Sequence, residues 1–242
     1  MAQSVKMYKI ERYPETFPIS SAEVNTGEGT STFVTTVNIL GKGEYTDVDL
    51  DKVQIKHQLG DKFDGKGMLE DGSIYDIVAI STEEKFPCFV KDKEFIYTSG
   101  TRRIISEQAL RRLRSHPDMD VSKRLEAKSV KIDLVKFKEH LQTSREGAIK
   151  GGWFRGMKIE NVEVAYLGGG SVTESEDWEK YETSGGSISA LRIDIPGLTE
   201  DSEAIKTLLT RDGNLVIYRH FDEYEMLGIA VPIFEAVENF LL

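Results

Sequence analysis

The chain has 242 residues, of which 39% are apolar, 30% are charged and 21 are glycine. A chain this long buries roughly 70–75% of its extended surface, so a core forms without metal or disulfide staples, and one large domain or two small ones fit the length. Its 41 acidic side chains outnumber the 31 basic ones, and the net charge of −10 excludes a uniformly basic nucleic-acid coat while leaving room for a local basic site.

The charge is spread unevenly. Residues 1–101 carry 11 basic and 17 acidic side chains, residues 102–159 carry 15 and 7, and residues 160–242 carry 5 and 17. The net charges are therefore −6, +8 and −12. This division predicts a β-rich domain over 1–101, a basic helical connector over 102–159 and an acidic α+β domain over 160–242. The single cysteine, Cys88, excludes an internal disulfide and reads as a small buried hydrophobe between Pro87 and Phe89. The first 20 residues lack the apolar run of a signal peptide, and no stretch is apolar enough for a membrane helix, so a cytoplasmic protein without membrane contact is expected.

In chain order, residues 31–40 (STFVTTVNIL) read as a strand, followed by short strands at 53–59, 74–80, 86–90 and 95–97. Glycines 60, 65 and 67 separate these stretches, and Asp71-Gly72 fits a type I′ hairpin turn. A small antiparallel sheet or partly closed barrel follows from this spacing. Ser106 then suits the cap of a helix over 107–114 that Pro117 stops, with a short helix at 121–127. Residues 130–134 form either a strand or, with Asp133 as cap, the entry to a helix over 134–149 that Gly151-Gly152 terminates. Strands are expected at 159–167 and 188–195, flanking an acidic stretch at 171–186 that is a long loop or a pair of splayed strand ends. Thr199 suits the cap of a helix over 200–209. Asp212-Gly213 turns into a strand over 215–219, another strand covers 227–231, and Pro232 starts a helix over 233–242. The fold class is α+β, with a β-rich N-terminal part, a basic helical middle and a C-terminal sheet with helices on one face.

Three constellations suggest binding. The first is cationic: Arg102, Arg103, Arg111, Arg112, Arg114, His116, Lys123 and Arg124. Arginine forks suit phosphate oxygens, so this cluster fits a polyanion, including the nucleic-acid backbone. It equally fits a solvated helix face, or docking against the chain's own acidic segments. The second is Trp178 with Tyr181 amid acidic residues, either anchors for a protein partner or a self-association contact, or aromatics folded back onto the sheet. The third is Trp153, Phe154 and Arg155 between glycines, which either stack bases beside a cation or plug a junction.

Enzymatic chemistry has thinner support. No GxxxxGK[S/T], HExxH or GxSxG motif occurs. A metal-dependent hydrolase or nuclease without a local motif is the alternative, using Asp194 with Glu163 and a lysine, or divalent-cation ligands drawn from 220–225 (HFDEYE) if that loop is not simply solvated. Neither a metal nor a cofactor is expected. The chain reads as a noncatalytic binding protein for a protein partner, its own copy, or a polyanion such as nucleic acid.

Overall fold

The structure is a computed structural model that describes residues 2–25, 32–118, 120–144, 147–197 and 203–242. The first nine strands are β1 (Gln3–Arg12), β2 (Ile19–Ser20), β3 (Val24–Asn25), β4 (Thr32–Phe33), β5 (Thr35–Lys42), β6 (Leu50–Met68), β7 (Ile74–Lys91), β8 (Phe95–Ser99) and β9 (Glu126–Ser129). Five more follow: β10 (Ala148–Ile159), β11 (Val162–Gly168), β12 (Ser187–Ile195), β13 (Ile205–Thr210) and β14 (Asn214–Ile217). The helices are α1 (Arg103–Arg112), α2 (Leu134–Ser144), α3 (Glu176–Thr183) and α4 (Glu223–Glu238). The chain is α+β and strand-rich, and its registered strand pairs are antiparallel. Among the described residues, no helix is long and apolar enough to cross a membrane.

Two compact units divide the chain, one made of residues 9–42 and 49–128 and the other of 1–8, 43–48 and 129–242. In the first unit, β8, β7, β6, β5 and β2 lie side by side in that order. The short strands expected at 53–59, 74–80 and 86–90 are parts of one long hairpin, in which β6 pairs β7 from Leu50↔Lys91 to Met68↔Ile74. Glycine does not interrupt β6, because aromatic rings occupy the space that a side chain would fill. The Phe33 ring lies over Gly60, and Tyr75 and Ile77 lie over Gly67.

The hairpin turn at Asp71-Gly72 is present, but it is not type I′. Gly72 (φ +83°) alone is left-handed, its amide donates to the Leu69 carbonyl, and the Leu69 amide donates to the Ser73 carbonyl, which is the three-residue loop with a bulge. The type I′ geometry falls between β7 and β8, where Asp92 (φ 53°) and Lys93 (φ 59°) are both left-handed and Glu94 N–H donates to the Lys91 carbonyl. Helix α1 begins three residues earlier than Ser106. That serine is buried inside the helix, with its hydroxyl donating to the Arg103 carbonyl. The stretch expected as a helix at 121–127 is one 3₁₀ turn (Val121–Lys123) and then β9.

In the second unit the strand order is β11, β10, β12, β13, β14 and the first residues of β1. Asp133 does cap α2, accepting from the Lys136 amide. The helix covers Leu134–Ser144, and Gly151-Gly152 lie within β10. Those glycines are cut to fit: a Cβ on Gly151 would stand 2.7 Å from the Tyr166 hydroxyl, and one on Gly152 2.5 Å from the Trp178 ring. Of the helix expected over 200–209, residues 200–202 lie outside the described residues and 205–209 belong to β13. Its Ile205, Thr207 and Leu209 are buried in alternation, and both of its edges are paired. Thr199, its expected cap, and Ser31, the expected start of the first strand, lie outside the described residues.

The strand expected at 227–231 and the helix expected at 233–242 are one helix, α4, with Pro232 inside it. Asp222 and Glu225 form a reciprocal capping box at its start. Burial of Leu227, Ile229, Ala230, Val231, Phe234 and Val237 outweighs the one backbone hydrogen bond lost at the proline.

Candidate functional site

The structure places the cationic cluster in the first unit, around α1 and the segment after it. Arg112 is half-buried and donates to the Gln58 carbonyl at 2.6 Å, and Arg114 donates to the Ala127 carbonyl at 2.9 Å. Arg103 pairs Glu107 at 2.8 Å, one helical turn away, and Arg102 lies 4.0 Å from Glu84. Lys123 reaches Asp118 and Asp120, His116 is buried with its Nδ1 accepting from the Asp118 amide, and Arg124 is half-buried. Arg111 is exposed on α1. Arg112 and Arg114 thus reach backbone carbonyls, and Arg102, Arg103 and Lys123 stand near carboxylates, of their own unit, while Arg102, Arg103, Arg111 and Arg114 are exposed.

The second constellation follows the alternative of aromatics folded back onto the sheet. The acidic stretch is no loop: Ser175 caps α3, accepting from the Trp178 amide, and Glu176, Asp177 and Glu179 fill its first turn, where carboxylates suit the helix dipole. Trp178 faces inward and is 1% exposed, packed edge-on to Phe154 at 4.8 Å over Gly152. It is therefore not a presented anchor. Tyr181 is half-buried, with its ring 5.5 Å from Phe154.

The third constellation splits by strand alternation. Phe154 points to the helix-covered side and is fully buried, whereas Trp153 and Arg155 lie on the opposite face of β10. The register carries Tyr166 of β11 directly beside Trp153, and the two rings stand 4.2 Å apart. One step along, Gly168, Gly151 and Arg192 are aligned across β11, β10 and β12. The two glycines leave room for the Tyr166 ring, and Arg192 hydrogen-bonds the Tyr166 hydroxyl. That hydrogen bond, with Asp194 and Tyr218 nearby, raises the Arg192 pKa. Leu208 and Val216 continue the same row on β13 and β14 as a half-buried apolar floor, and Tyr218 is 51% exposed at its margin. Among the described residues the result is an exposed sheet face with an aromatic pair tilted by 39°, an apolar floor and two guanidinium groups.

The sequence matches no protein-family model, and no curated protein is similar enough to count as a relative.

The carboxylates considered for catalysis do not converge. Asp194 shares the face of Arg192 on β12, whereas Glu163 sits one residue out of phase with Val164 and Tyr166 on β11 and so projects to the other side. Asp222 and Glu225 from the 220–225 segment are engaged in the α4 capping box. Among the described residues, no group of three or more His, Cys, Asp or Glu side chains is placed to hold a metal ion. Asp222→Ala is expected to lower stability by about 1 kcal/mol through loss of the cap, equally with and without added divalent cation, as read from urea midpoints. Cys88 is buried, and that burial pushes its thiol pKa well up, which leaves it a packing residue.

Tyr166, Arg192 and Tyr218 were not candidates from sequence. Alternation locates their strands, but only the register across β11, β10, β12 and β13 puts them next to Trp153.

Proposed function

We propose that the chain is a noncatalytic binding protein whose open sheet face takes single-stranded nucleic acid. The observation that carries this reading is the Trp153–Tyr166 pair at 4.2 Å on a solvent-facing sheet, with Arg155 on one side and Arg192 on the other. Flat aromatic surfaces accept any base by stacking, worth about 1–3 kcal/mol per base, and guanidinium groups beside them hold the phosphates. A duplex hides its base faces, so single strands are the matching form. Few cations line the face, which suits a short site on an acidic chain better than a general coat.

Fluorescence anisotropy with a labelled oligothymidylate tests this. Trp153→Ala is expected to weaken binding about tenfold to a hundredfold while leaving thermal stability nearly unchanged, because the side chain is half-exposed. With two or three phosphates engaged, the affinity should fall with salt at a log–log slope of about −1.5 to −2. Undiminished binding by the Trp153 and Arg192 variants would remove the sheet face from consideration.

A further inference from the structure

The β6–β7 hairpin in the first unit runs far past its neighbours. The β5 ladder on β6 ends at His57, and β8 pairs β7 over Cys88–Lys91. From Leu59↔Thr82 to Met68↔Ile74 the two strands are registered against each other alone among the described residues, a ribbon about 30 Å long at roughly 3.3 Å per residue. A two-stranded ribbon by itself is marginal in water. This one also exposes Met68 (71%), Ile74 (64%), Tyr75 (47%) and Ile80 (45%), and among the described residues no further strand is registered on either edge. Apolar surface on an open-edged ribbon is what native chains ordinarily cover.

Its two faces differ. On one, Tyr75 and Ile77 lie over Gly67, with Tyr75 still 47% exposed. On the other, Met68 is paired with Ile74 and, two residues away, Lys66 with Asp76, while Ile80 lies in phase with Ile74 and Asp76 along β7. Lys66 and Asp76 are exposed and occupy equivalent positions on the two strands.

We infer that this face is the contact between two copies of the chain, packed arm against arm. A two-fold axis along the arm lays β6 of one copy over β7 of the other. Lys66 then meets the Asp76 of the second copy, and Met68 meets its Ile74, each contact occurring twice. This matching is what selects a second copy as the occupant. A uniformly acidic or basic partner would set a like charge against one member of the Lys66–Asp76 pair, whereas a copy satisfies both. The arm carries none of the sheet-face residues, so the two proposals stand or fall separately.

Sedimentation velocity of the full chain at about 100 μM, where an association of micromolar strength is nearly complete, is expected to show a dimer. Lys66→Asp and Asp76→Lys are each expected to weaken the dimer at least about tenfold without changing the circular dichroism. An equimolar mixture of the two variants should restore wild-type association, because opposite charges then meet between copies while like charges remain within each arm. A wild-type chain that is monomeric at that concentration, variants that associate as tightly as wild type, or a mixture that stays dissociated would overturn the inference.

Discussion

Trp178→Ala is expected to lower the stability of the chain by about 3–5 kcal/mol, the range for emptying an aromatic site in a packed core. The indole fills the space that Gly152 leaves on β10, meets Phe154 edge-on at 4.8 Å, and lies under the Lys138 ammonium, which is 5.8 Å from the ring and bound to Glu182 at 2.6 Å. Little around the site can collapse into the void. Gly152 and Phe154 are fixed in the paired strand β10, and Lys138 is held by its ion pair. Urea denaturation of wild type, Trp178→Ala and Trp153→Ala reads the contrast directly. The first substitution should move the midpoint far more than the second, although both remove an indole from the same unit. Equal shifts would mean that Trp178 does not anchor α3.

The second large effect is an acid-sensitive step carried by His57. This side chain is fully buried, and its Nδ1 shares a hydrogen bond with the Thr35 hydroxyl at 2.7 Å. Thr35 is held in turn by its amide donating to the Ser21 hydroxyl. Burial, with the Arg112 charge adding to it, lowers the His57 pKa from 6.5 to about 4. The unfolded chain therefore takes up the proton first. The stabilisation is complete above pH 6.5 and is lost as pH falls towards 4, a span worth about 3 kcal/mol, of which about 2 has gone by pH 5. The window between pH 6.5 and 5 lies above the usual carboxylate range, and a His57 variant separates this group from the other three histidines. His57→Gln keeps a polar side chain beside Thr35 and cannot titrate. Its stability relative to wild type should improve by about 2 kcal/mol between pH 7 and pH 5. A difference that does not change with pH would place the proton elsewhere.

The parts legible in the sequence are those set by local period. Alternation located β11 and β12, Asp133 marked the start of α2, and the i, i+2 spacing of Trp153 and Arg155 gives one shared face once β10 is known to be a strand. The α+β class followed from these patterns. What was not legible depends on distant residues. Gly151-Gly152 has the form of a helix stop, and only the Tyr166 and Trp178 rings explain why glycine is needed inside a strand. The α4 run from Met226 to Phe234 is apolar on all sides, so it carries no clear period, and Pro232 pointed to a break that the core overrides. The arginines of α1 and its flank are visible in the sequence as charges, but that Arg112 and Arg114 reach the Gln58 and Ala127 carbonyls depends on distant residues. The site itself arises from register, since Arg192 becomes a neighbour of Tyr166 only through β10 between them.

The sheet face is tested most directly by intrinsic fluorescence. The chain has two tryptophans, and Trp178 is sealed in the core, so any quenching by a single-stranded oligonucleotide reports on Trp153. Titration with oligothymidylate is expected to quench a substantial part of the emission at low salt and to reverse on adding salt, while duplex DNA of the same length quenches little. Saturable binding that leaves the Trp153 emission unchanged, or binding of duplex and single strand alike, would contradict a stacking site on this face.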